Sequence, residues 1–145
     1  MRFNTSTAVV ANVGANNIGG AVANSIQLNA TGTASQVIGL QTSNAPANFT
    51  LNNIRNLTTN IGTGTTTGAS VIGISVTTTT PNHTVSQNTI SNLSNSNTTA
   101  ASVVTGIQFT GAAANVVARN QIYGLTAATT STAAEINGIR VAGGT

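Results

Sequence analysis

The apolar residues of this chain do not fall at helical spacing. They gather in short blocks that return at a long, nearly constant interval. Alignment on Asn16, Asn52, Asn88 and Asn120 gives spacings of 36, 36 and 32 residues. Two positions later stand Ile18, Ile54, Ile90 and Ile122, and three positions earlier stand Val13, Phe49, Val85 and Val117. Five positions after the Asn come Ala21, Leu57, Leu93 and Leu125. The shared pattern is apolar-x-x-Asn-x-Ile-x-x-Leu, with Ala standing for Leu in the first copy. A second block lies between these. It reads Val37-Ile38-Gly39-Leu40, Val71-Ile72-Gly73-Ile74-Ser75-Val76, Val104-Thr105-Gly106-Ile107-Gln108-Phe109 and Ile136-Asn137-Gly138-Ile139-Arg140-Val141. Each copy alternates apolar with small or polar residues, which predicts a half-buried strand.

One repeat is therefore two or three short strands joined by turns. The stretches between blocks, such as Gly62–Ser70 and Ala127–Ala134, are rich in Thr, Gly, Ala and Asn and vary in length, as loops do. One copy cannot bury its own apolar side chains, whereas stacked copies can, each Ile on the Ile of the next coil. The expected fold is all-β, a right-handed parallel β-helix (β-solenoid) of about four coils of 32–36 residues in a single domain, 1–145. The right hand follows from the general preference of parallel crossover connections. The aligned Asn has a place in such a coil. It tolerates the left-handed backbone conformation at a turn, and stacked Asn amides bond from coil to coil. The expected structural ladder is thus Asn16, Asn52, Asn88 and Asn120; Ile18, Ile54, Ile90 and Ile122; Leu57, Leu93 and Leu125; and Gly39, Gly73, Gly106 and Gly138.

The rows Val117-Ala118-Arg119-Asn120-Gln121-Ile122 and Val85-Ser86-Gln87-Asn88-Thr89-Ile90, each followed by Gly-Ile-x-Val or Gly-Ile-x-Phe, resemble right-handed parallel β-helix repeats. That family includes bacterial surface proteins, adhesins and polysaccharide lyases. The resemblance spans roughly residues 9 to 142 and implies the fold more than any activity, because the fold hosts many. The coils here are longer than the family's usual ones, which implies extended loops.

Composition sharpens this picture. Charged residues are 3 % of the chain, against about 25 % in an ordinary soluble domain. They are Arg2, Arg55, Arg119, Arg140 and Glu135. Thr, Ala, Asn, Gly and Ser supply 95 of the 145 residues, so solubility rests on hydroxyls and amides. Low charge and recurring Val, Ile and Thr favour order over disorder. The net charge of +3 comes from scattered arginines with few aromatics, so no nucleic-acid partner is expected. Cysteine is absent, which removes disulfides and thiolate metal sites. No apolar run is long enough for a spanning helix, and membrane insertion is not expected.

Catalytic chemistry finds few candidates. The lyases and hydrolases among the resembling proteins use acidic residues, as calcium ligands or as acid–base pairs. Here Glu135 is the single carboxylate side chain, expected in a solvated loop or beside an arginine of a neighbouring coil. His83 is the single histidine and reads as a loop residue after Pro81-Asn82. Tyr123 is expected to point outward, in a row with Gly19, Arg55 and Ser91 that has no consistent chemistry. Asn-x-Ser/Thr triplets at Asn4, Asn29, Asn48, Asn56, Asn82, Asn92 and Asn97 are close to the number that composition alone produces. Gly62-Thr63-Gly64 lacks the lysine and helix of a phosphate loop.

No catalytic residue, cofactor or metal is therefore expected. The sequence points to a structural or adhesive module of an extracellular bacterial surface or filament protein. Its expected partners are itself, by end-to-end coil stacking, or flanking repeats of a longer solenoid, with surface polysaccharide as a further partner. Val141-Ala142-Gly143-Gly144-Thr145 carries no recognisable cap after the fourth Gly-Ile strand, which motivates that stacking. Two alternatives are a carbohydrate-binding or carbohydrate-cleaving β-helix and an ice-binding solenoid. The second is suggested by Thr65–Thr67 and Thr78–Thr80, although these clusters fall between strands.

Overall fold

The computed structural model of the chain describes residues 2–3, 10–29, 36–43, 45–60, 71–78, 80–110 and 114–143. The predicted loop Gly62–Ser70, with Thr65–Thr67 inside it, lies outside the described residues, as do Asn4 and Thr79. A short strand β1 (Arg2–Phe3) is followed by four successive sets of strands. The first set is β2 (Ala11–Gly14), β3 (Asn17–Ile18) with β4 (Ile26–Leu28), and β5 (Val37–Thr42). The second is β6 (Ala47–Thr50), β7 (Asn53–Thr59) and β8 (Val71–Val76). The third is β9 (Thr84–Ser86), β10 (Thr89–Asn95) and β11 (Val103–Phe109). The last is β12 (Val116–Ala118), β13 (Gln121–Ala127) and β14 (Glu135–Val141).

Strands of the same rank in successive sets pair in parallel. They build three sheets, ordered β2-β6-β9-β12, β3-β7-β10-β13 and β1-β5-β8-β11-β14, with β4 also paired to β7. The molecule is a parallel β-solenoid of about three turns, with no helix among the described residues. Its register follows the aligned sequence. Ile18, Ile54, Ile90 and Ile122 form one row. Leu57, Leu93 and Leu125 form another, and Val13, Phe49, Val85 and Val117 a third. Phe49, Ile54, Leu57, Ile74, Ile90, Leu93 and Ile107 meet in one fully buried core between the three sheets.

Backbone geometry explains the spacing of the motif. A regular strand would send Ile54 and Leu57, three residues apart, to opposite faces. Asn56, Asn92 and Gly124 adopt positive φ (57°, 53° and 66°) inside β7, β10 and β13. That kink resets the alternation, so the Ile and the Leu of each repeat both face inward. The corner between the first and second sheets is a two-residue turn with its own positive-φ row: Ala15, Leu51, Gln87 and Arg119, at 55–59°. The left-handed residue at this corner is thus the one before the aligned Asn, and the Asn itself is not the bend.

Two further expectations are corrected. Ala21 does not replace Leu in the first copy: Ile26 pairs with Leu57. Residues 19–25 are an extra segment that splits the strand into β3 and β4, closed by Gly20 N–H donating to Ser25 Oγ at 2.6 Å. The glycine blocks of β8 and β11 are buried at every position rather than on one face. Val71, Ile74 and Val76 join the main core, while Ile72 packs with Val103 and Ile38 in a second cluster. Val71-Ile72-Gly73-Ile74 carries no charged or large polar side chain that would mark a solvated face, as is usual for strands covered on both sides.

Candidate functional site

The polar residues that recur in the sequence are gathered into bonds that run from layer to layer. At the corner between the first and second sheets, Asn52 is 1 % exposed and Asn88 1 %. Asn52 N–H and Nδ2 both donate to Asn88 Oδ1 at 3.0 Å. Asn88 N–H and Nδ2 donate in turn to Asn120 Oδ1 at 3.0 and 2.9 Å. Asn16 donates to Asn52 Oδ1 in the same way, at 3.2 and 3.0 Å. The second proton of each amide goes back to a carbonyl beside the corner. Asn52 Nδ2 reaches Val13 O, Asn88 Nδ2 reaches Phe49 O, and Asn120 Nδ2 reaches Val85 O. Both amide groups of a buried Asn are therefore satisfied, which removes the penalty of placing them in the core.

A second ladder occupies the corner between the third and first sheets. Ala47 N–H donates to His83 Nδ1 at 3.0 Å, and His83 N–H donates to Asn115 Oδ1 at 2.8 Å. His83 takes the same role here that Asn plays at the other corner. Its side chain is 0 % exposed and stands edge-on to Phe109, with ring centroids 5.9 Å apart. The sequence places His83 in a connection, which is correct, but not in the core, where the structure puts it. Acceptance at Nδ1 leaves the ring proton on Nε2, 3.3 Å from Thr80 Oγ1. Burial pushes its pKa below the ordinary imidazole value, against the opposite pull of a hydrogen bond with the Thr80 backbone. It is a neutral hydrogen-bonding strut. Among the described residues its partners are Ala47, Thr80, Asn115 and Phe109, none of them charged.

The aligned glycines are seats for the aligned isoleucines. A Cβ on Gly39 would come within 2.7 Å of Ile54 Cγ2 and 2.6 Å of Gly73 O. On Gly73 it would meet Ile90 Cγ2 and Gly106 O, both at 2.6 Å. On Gly106 it would meet Ile122 Cγ2 at 2.7 Å and Gly138 O at 2.6 Å. The third and second sheets thus approach closely enough that only hydrogen fits between them. Each glycine receives the Ile of the layer that follows.

On the outer face of the second sheet, Asn24, Asn56, Thr58, Asn92, Ser94 and Thr126 line an open groove of about 260 Å³. Its polar groups bond mostly to one another. Thr58 Oγ1 donates to Asn24 Oδ1 at 2.7 Å and lies 2.8 Å from Ser94 Oγ, while Asn92 Nδ2 donates to Asn56 Oδ1 at 3.2 Å. Tyr123, in the last layer, is 51 % exposed, as much as the core-row residues Ile136 and Ile139 of that layer. Glu135 does not lie in a loop. It is the first residue of β14, and its Oε2 accepts from Asn137 Nδ2 at 3.4 Å. Among the described residues no group of three or more His, Cys, Asp or Glu could hold a metal ion.

The chain matches no known protein family, no curated protein and no solved structure.

Proposed function

We propose that the chain is a non-catalytic structural or adhesive module of an extracellular bacterial surface or filament protein, wound as a right-handed parallel β-helix. The observation that carries this reading is the use made of its recurring polar groups. Asn52, Asn88 and His83 are buried and bonded to neighbouring layers, so they hold the stack together and present nothing to a substrate. A chain with one carboxylate side chain has no partner for the paired acid and base of glycoside cleavage. Parallel strands bonded along the whole axis make a stiff spacer, and the open groove lined by Asn24, Asn92, Ser94 and Thr126 is the place where a surface polysaccharide would lie.

Incubation with a panel of neutral and acidic polysaccharides tests the reading. No new reducing ends and no unsaturated uronates are expected. Turnover of any of them by the purified chain would overturn it.

A further inference from the structure

The outer face of the second sheet holds a cation without a counter-charge. Arg55 follows Ile54, whose side chain is in the core, so alternation turns the arginine outward. Its side chain is half-buried. Its Nε is out of contact with water and has no hydrogen-bond partner. Among the described residues nothing accepts from its terminal nitrogens either, and no carboxylate pairs with it. Glu135, the single carboxylate side chain of the sequence, stands in β14 of the third sheet and accepts from Asn137.

The strand register fixes what stands beside the guanidinium. On one side is the extra segment of residues 19–25, where Gly19 lies so close to the Arg55 carbonyl that a Cβ would strike it. On the other side is Ser91, between Arg55 and Tyr123 in one row. Ser91 is 3 % exposed, yet its hydroxyl makes no hydrogen bond among the described residues. A buried hydroxyl and a half-buried guanidinium are thus neighbours on one face, and both lack an acceptor. Groups so placed are bonded as a rule in folded proteins. The open groove begins one residue further along the same two strands, at Asn56 and Asn92. Its lining carries no charge, and Asn24 Nδ2 and Asn92 Oδ1 bond to nothing there among the described residues.

We propose that Arg55 binds an anion, and that the anion is the carboxylate of an acidic polysaccharide whose neutral hydroxyls lie along the groove. This rests on the adhesive reading above and gives its polysaccharide a charge and a point of attachment. The terminal nitrogens of a guanidinium form a fork that matches the two oxygens of a carboxylate. Ser91, on the adjacent strand about 4.8 Å away, supplies a further donor. Burial makes the site selective, because a charge partly withdrawn from water is less screened than an exposed one. Arg119, exposed at its corner, lacks that advantage. A lone cation among amides and hydroxyls suits a sugar chain with spaced carboxylates, whereas a polyphosphate would meet no second cation beside it. Arg55 and Ser91 both belong to inner layers, so the site needs neither end of the solenoid.

Affinity electrophoresis through gels containing hyaluronate or alginate, with dextran as the neutral control, tests the assignment. Both acidic gels should retard the chain and dextran should not. Arg55→Gln is expected to lose about tenfold in affinity or more. Arg119→Gln, which removes the same charge from an exposed place, should stay within about twofold of the parent. Arg55→Lys, which keeps the charge and loses the fork, should fall between them. Ser91→Ala should weaken binding several-fold with the circular dichroism unchanged, and it carries the test if Arg55→Gln does not fold. Sodium acetate, matched against sodium chloride for ionic strength, should release the chain only at carboxylate concentrations far above the polymer's own. Release at equal carboxylate concentration would overturn the polysaccharide as ligand. Arg119→Gln weakening retention as much as Arg55→Gln would overturn the site, since the attraction would then be one of net charge. Equal retardation by dextran, or none by either acidic gel, would overturn it as well. Each of these failures leaves the non-catalytic reading standing, and that reading fails on new reducing ends or unsaturated uronates, which retardation does not measure.

Discussion

A histidine with no exposed surface gives this molecule one sensitivity to acid. His83 accepts from Ala47 N–H only while Nδ1 is unprotonated. Its folded pKa lies below the value near 6.5 that the unfolded chain would show. Above about pH 6.5 both states are neutral and stability is full. As the pH falls below that, the unfolded chain binds a proton that the folded one refuses, and stability declines until the depressed folded pKa is reached. Urea midpoints should therefore drop on acidification through this window. His83→Asn, which copies the acceptor role of Asn115, should flatten the decline, at a cost of about 1–3 kcal/mol at neutral pH for the lost contact with Phe109. The corner residues offer the opposite experiment. Leu51 holds φ at 59° and is 58 % exposed, so it contributes neither a favourable backbone nor a core contact. Leu51→Gly should raise stability by up to about 1 kcal/mol, measured by equilibrium unfolding.

At the scale of strands, the glycine seats separate close packing from open space. Gly73→Ala forces a Cβ against a carbonyl oxygen and a buried methyl at 2.6 Å, and should cost about 1–3 kcal/mol or more. Gly138→Ala, the same change in the same repeat position, should move the monomer's unfolding free energy by less than about 0.5 kcal/mol. Equilibrium denaturation of the two variants beside the parent measures the difference. Strand register was legible in the sequence because Asn, Ile and Leu recur in step, and parallel stacking turns such recurrence into rows. The phase of the side chains was less legible. Asn56 and Asn92 share their left-handed kink with Gly124, a mixed row that strict alternation does not anticipate. The corner row of Ala15, Leu51, Gln87 and Arg119 has no residue type suited to its conformation, so composition gave no sign of it. Sequence alone gives His83 no place in the core, because its partners, Ala47 and Asn115, lie 36 and 32 residues away and carry no motif. The extra segment of residues 19–25 hid Ile26 behind Ala21, since a fixed offset cannot detect an insertion.

For the molecule as a whole, cohesion comes from apolar burial and amide bonds. The charged groups are five in 145 residues, and no ion pair links the described ones. Unfolding free energy should therefore change by less than about 0.5 kcal/mol between low and roughly 1 M sodium chloride, in contrast to a domain stabilised by ion pairs. Chemical denaturation at the two salt concentrations checks this. The corner between first and second sheets spans two residues in every layer, at 15–16, 51–52, 87–88 and 119–120, whereas the other connections vary in length. A constant hinge beside elastic connectors means that angular registration is settled at one edge and need not be renegotiated elsewhere. Foreign segments can then be grafted into the other two edges, and the protein becomes a ruler with evenly spaced attachment points.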